Sequence, residues 1–446
     1  MVRGGVDGSA PRTTSAELGR ALLVRQHLST PAGRDGPAGS ARPDGTSGGR
    51  ERVVAEVRHL VGLQSQVPAS PYAGLWSRVP GFATQDLGDR LLDRSLVRVA
   101  TLRGTVHLVT PDDAFELTAL ARPAQAAFLR ARNQHGAALA DVDLDDLAEA
   151  ARDLLAEPLT SVELGRRLAA RWPDVGPTHL AYGARCLLPL VQVPPRGLWG
   201  ASGPGTTTTW TTAQAWLGGP AHRSADELAA VAAGSDPEAV LAARVRLVRR
   251  YLAAFGPASV ADAQRWSGLA RLRAAVDVLR PELVTLTGPR GTELFDLPDA
   301  PRPAGDSPVP VVLAADFDNL VLGHDDRTRV LGRVAVRQVV SVNGQVAATV
   351  LVDGSVAGTW AWRGGGDGVA DRDGAVAQVD VRPLRPDGSP DAPSAGPVGA
   401  VEAADAGRSP AERLAEPAVR DEVVARAEDW LRVAAPGARH RVVVHV

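Results

Sequence analysis

Apolar residues fall at helical spacing through roughly the first 300 positions of the chain and at strand spacing after them. Ser15 opens a short amphipathic helix predicted to run to Leu28. Val53, Val57, Leu60 and Gln64 keep the 3,4 spacing of one helix face, which predicts a helix over 51–64 with Gln64 on its last turn. Pro68 disfavours the α region for Val67, so that helix must end near Gln64. Pro71 suits the first turn of the next helix, and Thr84 is expected to cap another from Gln85 to Arg94. Two strands, Val97–Leu102 and Thr105–Val109, then flank an Arg103-Gly104 turn. Helices followed by such a ribbon have the winged-helix order, a relative of the helix-turn-helix.

The order recurs. Thr160 and Glu163 match a capping box, starting a helix to Trp172. A second helix starts at Pro177, and Val191–Val193 with Gly197–Trp199 supplies strand material. It recurs again with an amphipathic helix at 237–255, a pair at Ser259–Ser267 and Ala270–Leu279 across Gly268, and strands Leu283–Leu286 and Glu293–Phe295. Beyond about residue 308 the pattern becomes β: Val309–Ala314, Val339–Val342, Gln345–Val352, Ser355–Trp362 and Arg441–Val446, with Asn343-Gly344 and Asp353-Gly354 as hairpin turns and one helix, Pro417–Val433. The Gly- and Pro-rich stretches 29–50, 364–374 and 385–410 read as flexible insertions or loose loops. The expected fold is therefore α+β: three tandem winged-helix motifs followed by a C-terminal β-barrel-like domain. The expected boundaries are a disordered 1–14, winged-helix units at 15–138, 139–218 and 219–307, and the barrel with its one helix at 308–446.

Charge and composition narrow the chemistry. The 446 residues carry a net charge of −2, so no overall basic field advertises nucleic acid, although 49 basic residues can still segregate to one face. All 49 are arginine, because the sequence contains no lysine. Schiff-base mechanisms that need a lysine amine are excluded, and so is a P-loop. One cysteine, Cys186, permits no internal disulfide, and the nine histidines show no zinc-type spacing. No apolar run approaches ~18 residues, and Met1–Ser15 has no signal-peptide core, so a soluble, cytoplasmic protein is expected.

The candidate chemistry centres on Gln64-Ser65-Gln66. Two amides two positions apart converge on one site only if the helix breaks between or just before them. There they offer donors and acceptors for a water or a base edge, and neither titrates. The competing reading is a helix that ends in two solvated polar residues. His107 lies in phase with Thr105 and Val109, as a core or surface residue or as a site contact. Arg103, at the ribbon turn, touches phosphate or is solvated, and Arg122, Arg130 and Arg132 line a channel or form solvated faces. Asp316, Asp318, Asn319, His324, Asp325 and Asp326 suggest metal on spacing alone, but local hydrogen bonding by Asx side chains is the expected role.

The runs VGLQSQVPASPYAGLWSRV, LVRVATLRGTVHLVTPDD and FDNLVLGHDDRTRVL, in that order, resemble the winged-helix DNA glycosylases of the AlkZ/YcaQ type from about residue 15 onward. Gln66 places the chain with the branch that carries Gln-x-Gln; the other branch has Asp there. The resemblance implies three winged helices and a barrel around a basic channel, and hydrolysis of the N-glycosidic bond of N7-alkylated purines, with interstrand crosslinks as possible substrates. Gln64 and Gln66 would hold the water, and Arg103, His107, Arg122, Arg130 and Arg132 would contact duplex DNA. No cofactor or metal is expected, and the protein is expected to act as a monomer. The insertion at 29–50, the loops after residue 363 and the near-neutral charge depart from that pattern. The alternatives are a non-catalytic winged-helix regulator, which has no particular need of Gln-x-Gln, and a protein-binding scaffold.

Overall fold

In the computed structural model, which describes residues 10–29, 47–130, 133–201, 207–364, 376–384 and 408–445, one order of elements occurs three times. After helix α1 (Ser15–Arg25) the first unit has α2 (Ser47–His59), a short β1 (Leu63–Gln64), α3 (Ser70–Trp76), α4 (Thr84–Leu92) and the ribbon β2 (Val97–Ala100) and β3 (Val106–Val109). Helices α5 (Pro111–Arg130) and α6 (Gln134–Ala138) come next. The second unit repeats the order with α7 (Leu144–Leu154), β4 (Leu159–Thr160), α8 (Ser161–Leu168), α9 (Pro177–Leu187), β5 (Leu190–Gln192) and β6 (Thr209–Thr212). After α10 (Ala213–Leu217) and α11 (Ala225–Ala233) come α12 (Pro237–Phe255), α13 (Val260–Ser267), α14 (Arg273–Leu279), β7 (Val284–Thr287) and β8 (Glu293–Asp296). In that third unit a single bridge from Ala258 to Phe295 takes the place of the short strand.

The first two units share one sheet, ordered β1-β3-β2-β5-β6-β4, because β2 also pairs with β5 through Arg98↔Gln192 and Val99↔Val191. Helix α1 does not stay with the first unit. Its Arg25 forms a bidentate, fully buried pair with Asp296 at 2.7 and 2.8 Å, and its Arg20 bonds the Ser307 carbonyl and Asp353. The start of the chain is thus tied to the third unit and to the C-terminal sheet region that contains Asp353.

The C-terminal residues include β9 (Val312–Ala314), the short turns α15 (Asn319–Leu322), α16 (Thr328–Leu331) and α17 (Val336–Val339), then β10 (Thr349–Val352), β11 (Ser355–Arg363) and β12 (Val376–Pro383). The turn α18 (Pro410–Arg413), helix α19 (Pro417–Ala434) and β13 (Arg439–Val444) complete them. The sheet order is β13-β12-β11-β10-β9; β9 and β13 are its edges, and among the described residues it does not close into a barrel. Two expectations change here. Val339–Val342 is not a strand, because the Asn343-Gly344 turn supports only one bridge, Val340 to Val346, after the helical turn α17. Strand β12 lies between two Gly/Pro-rich stretches and has no counterpart among the predicted strands. Most of those stretches, like 30–46, lie outside the described residues.

Aromatic contacts lock the C-terminal region to the first two units. Trp76 packs at 5.3 Å from Trp430 of α19, and Trp199 stacks at 5.3 Å on Trp362 of β11. Arg78 holds both carboxylate oxygens of Asp318 at 2.9 Å, and Asp318 also caps the Leu320 amide. Both members of that pair are buried.

One local feature sets the candidate site. Helix α2 ends at His59, five residues before Gln64, not at it. The Val61 amide bonds the Arg58 carbonyl and the Gly62 amide bonds the Val57 carbonyl, a Schellman-type stop. Val61 has φ +56° and Gly62 φ +98°. A Cβ on Gly62 would stand 2.7 Å from Val109 Cγ1 and 3.0 Å from the Leu108 carbonyl oxygen. Gly62→Ala is therefore expected to destabilise the protein by about 2 kcal/mol. A lowered urea midpoint checks this, and an unchanged midpoint would mean that the break tolerates a side chain.

Candidate active site

The turn at Val61-Gly62 delivers Leu63-Gln64 as a strand, with Gln64 directly opposite His107 on β3. The Ser65 amide continues the ladder by donating to the Val106 carbonyl at 2.7 Å. Alternation along an extended chain then puts Gln64 and Gln66 on one side and Ser65 on the other. Ser65 is completely buried, and Arg98 of β2 grips it twice, with Nε to the hydroxyl at 2.9 Å and Nη2 to the carbonyl at 2.8 Å. Arg98 holds the Ser65 carbonyl, and the Val106 amide donates not to that carbonyl but to Gln66 Oε1, at 3.2 Å. Gln64 is buried and Gln66 exposed.

Arg103 completes the arrangement. It lies in the tight turn Leu102–Gly104 with φ +55°, and its guanidinium turns inward. Nη2 donates to Gln64 Oε1 at 2.9 Å and lies 3.4 Å from His107 Nε2, while Nη1 donates to the Trp266 carbonyl. His107 Nδ1–H donates to the Thr105 carbonyl at 3.1 Å, so Nε2 presents its lone pair toward Arg103. Burial first, and the Arg103 charge second, push the His107 pKa down to about 3, so the ring is neutral. Burial, then Arg265, lowers Arg103 to about 10, still cationic at neutral pH.

Each glutamine carbonyl therefore faces a group that can only donate, which fixes both amide orientations. Neither NH2 group has a further hydrogen bond among the described residues. Gly268, with φ +73°, lets the end of α13 reach this turn, since a Cβ there would stand 3.1 Å from the Arg103 backbone.

Two cavities flank Arg103. One, of 330 Å³, is lined by Arg103, Gln125, Phe128, Tyr182, Arg185 and Gly268; the other, of 490 Å³, by Arg103, Gln264, Arg265, Gly268 and Leu322 among others. The structure thus brings together Gln64, Gln66, Arg103 and His107. It does not bring Arg122 and Arg130 to them. Arg122 is half-buried on α5, where the charges of Arg152 and Asp145 of α7 act on it, Arg130 is exposed at the end of α5, and neither lines these cavities. Arg132 lies outside the described residues.

The acidic knot is used locally. Asp318 pairs with Arg78, Asp326 with Arg290 and the Thr328 amide, and His324 Nε2 with the Phe255 carbonyl. Among the described residues no three His, Cys, Asp or Glu side chains gather as metal ligands, and no helix is long and apolar enough to cross a membrane.

Sequence reasoning missed Arg98, Ser65 and Arg265. A charge between Val97 and Val99 in a strand buried along its length was the available signal for Arg98.

No curated protein matches the chain in sequence. Among solved structures, the fold is similar to that of Streptomyces sahachiroi DNA glycosylase AlkZ, with a TM-score of 0.64 at 18% identity, covering 97% of this chain and 100% of that one. The family described as DNA glycosylase AlkZ-like matches residues 57–432, which contain the whole Gln64–Gln66 segment and the Arg103 turn. On that match, spanning most of its length, the chain belongs to the AlkZ-like DNA glycosylase family.

Proposed function

We propose that this DNA glycosylase hydrolyses the N-glycosidic bond of N7-alkylated purines in duplex DNA, and that Gln64 and Gln66 hold the attacking water. The observation that carries this reading is the pair of carboxamides on one side of one extended segment, each with its carbonyl pinned by a donor. Each amide keeps an NH2 group and a second carbonyl lone pair for a water or for the sugar. A cationic purine is already activated to leave, so the site needs no strong general acid. Its work is positioning and electrostatic support of an oxocarbenium-like sugar.

The three repeated units are read as winged helices that carry the duplex, with the C-terminal sheet as their brace. The cavities beside Arg103 leave room for bulk on the adduct, which fits crosslinked or natural-product adducts as well as methyl groups. With no lysine in the sequence, strand cleavage through a side-chain Schiff base is not expected.

Two outcomes test the reading. Duplex DNA with a single N7-methylguanine should release the base under single-turnover conditions, and Gln64→Ala and Gln66→Ala should each slow release by roughly 100-fold while keeping duplex affinity. Release at the wild-type rate in both variants would remove the pair from the chemistry. A crosslinked duplex run in parallel reports whether bulky adducts are accepted.

The second outcome is pH dependence. With His107 at about 3 in the folded protein, no titration of this ring falls in the working range, so the release rate should stay level between about pH 7 and 5.5. The same depression has a sign for stability. The unfolded ring protonates near its ordinary value of about 6.5, so the contribution is complete above that and is lost as pH falls toward 3. His107→Asn should therefore flatten the acid side of the stability profile. A rate that falls steeply below pH 7 and becomes level in His107→Asn would contradict a neutral His107.

A further inference from the structure

Three of the buried arginines face aspartates: Arg25 faces Asp296, Arg78 faces Asp318, and Arg329 lies 3.6 Å from Asp262; Arg98 is held instead by carbonyls and a hydroxyl. Two arginines that line the 490 Å³ cavity, Arg103 and Arg265, do not face aspartates, and neither does Arg327 on the segment that follows α15. Arg103 spends its guanidinium on Gln64 and the Trp266 carbonyl, and neither it, Arg265 nor Arg327 is in an ion pair among the described residues. Their charges are close enough to act on one another: Arg265 depresses the pKa of Arg103 and also that of Arg327. Only Asp325, itself exposed, opposes the effect on Arg327.

The placement comes from the fold. Helix α13 carries Arg265 and packs against both the Leu102–Gly104 turn and α15, which brings the first unit, the third unit and the 319–327 segment to one spot. Arg327 is only 9% exposed and makes no hydrogen bond from its guanidinium among the described residues. A buried guanidinium without an ion-pair partner is costly to fold, and one beside a second arginine is costlier. An anion arriving from outside removes that cost.

We propose that Arg265 and Arg327, with Arg103 as the inner wall, form a receptor for one phosphodiester of the DNA backbone next to the lesion. The planar fork of arginine suits a phosphate's oxygens. Free inorganic phosphate shares that chemistry, but a backbone phosphate adds registry: through Arg103, the gripped strand is one side chain away from Gln64. The inference rests on the glycosylase reading for its substrate, though the receptor is defined by the cluster itself.

The test is the salt dependence of duplex affinity for wild type, Arg265→Gln and Arg265→Lys, followed by a scan of single methylphosphonate replacements through the strand around an N7-methylguanine. Arg265 is exposed, so Arg265→Gln should fold normally, and its melting curve confirms that. The expected result is a slope of log K against log salt smaller in magnitude by about 0.9 in Arg265→Gln, restored in Arg265→Lys. One methylphosphonate position should weaken wild type and leave Arg265→Gln indifferent, which also separates a backbone phosphate from a free one. An unchanged slope in Arg265→Gln, with every scan position behaving as in wild type, overturns the receptor. Base release by wild type, read in the same samples, keeps the two readings apart. Release with an unchanged slope sinks only the receptor, whereas an arginine-dependent slope without release sinks only the glycosylase.

Discussion

Arg98 reaches from β2 to take both the hydroxyl and the carbonyl of Ser65, and the orientation of the neighbouring carboxamides depends on that grip. The Ser65 carbonyl accepts from Arg98, and the Val106 amide of β3 donates to the Gln66 side chain, which holds that side chain although it is exposed. With its side chain drawn to the interior, Ser65 leaves Gln64 on the opposite side, against His107 and Arg103. Arg98 has no carboxylate of its own. It is buried to 2% exposure and held by backbone carbonyls and one hydroxyl, and burial lowers its pKa to about 10. Gly197, with φ +100°, lies directly over it, where a Cβ would stand 2.8 Å from the arginine side chain. The grip is therefore specified by residues from two of the repeated units.

The electrostatics of the site depend on what is absent around it. Gln64 and Gln66 are neutral, His107 is held neutral, and Arg103 is the nearest charge. A cation beside a sugar that develops positive charge is unfavourable: at 4 Å and an effective dielectric of 20, two unit charges interact by ~4 kcal/mol. On the proposed reading bound DNA would supply the counter-charge, since its phosphates arrive with the substrate. The side chains are then already arranged before DNA binds, and the nucleic acid would balance the field in which the glutamines position water.

Much of this is legible in the sequence. The repeated helix and ribbon order, the Thr160–Glu163 capping box and the 237–255 helix come from periodicity and local capping chemistry, and they appear in the structure within a few residues. Pro68 predicts a break near Gln64, but not its position. A Schellman stop at Val61-Gly62 ends the helix earlier, and a valine with positive φ gives no signal in a sequence. Thr84 is the first residue of α4 rather than its cap, because Asp86 reaches back to the Ala83 amide instead. Arg103 reads as a surface turn residue in the sequence; only tertiary packing of Gly268 against that turn reveals its guanidinium facing inward. The open C-terminal sheet differs from the expected barrel for a similar reason: strand alternation reports which residues face a core, not whether the first and last strands meet.

The proposed mechanism has Arg103 and Gln64 acting as one unit through their hydrogen bond, and a double-mutant cycle measures that directly. Single-turnover release of N7-methylguanine would be followed for wild type, Gln64→Ala, Arg103→Gln and the double variant, at saturating protein. If Arg103 works by orienting the Gln64 amide, the double variant is no slower than the worse single variant. Losses that multiply across the two positions would show that the arginine and the glutamine act independently, and would contradict their coupling.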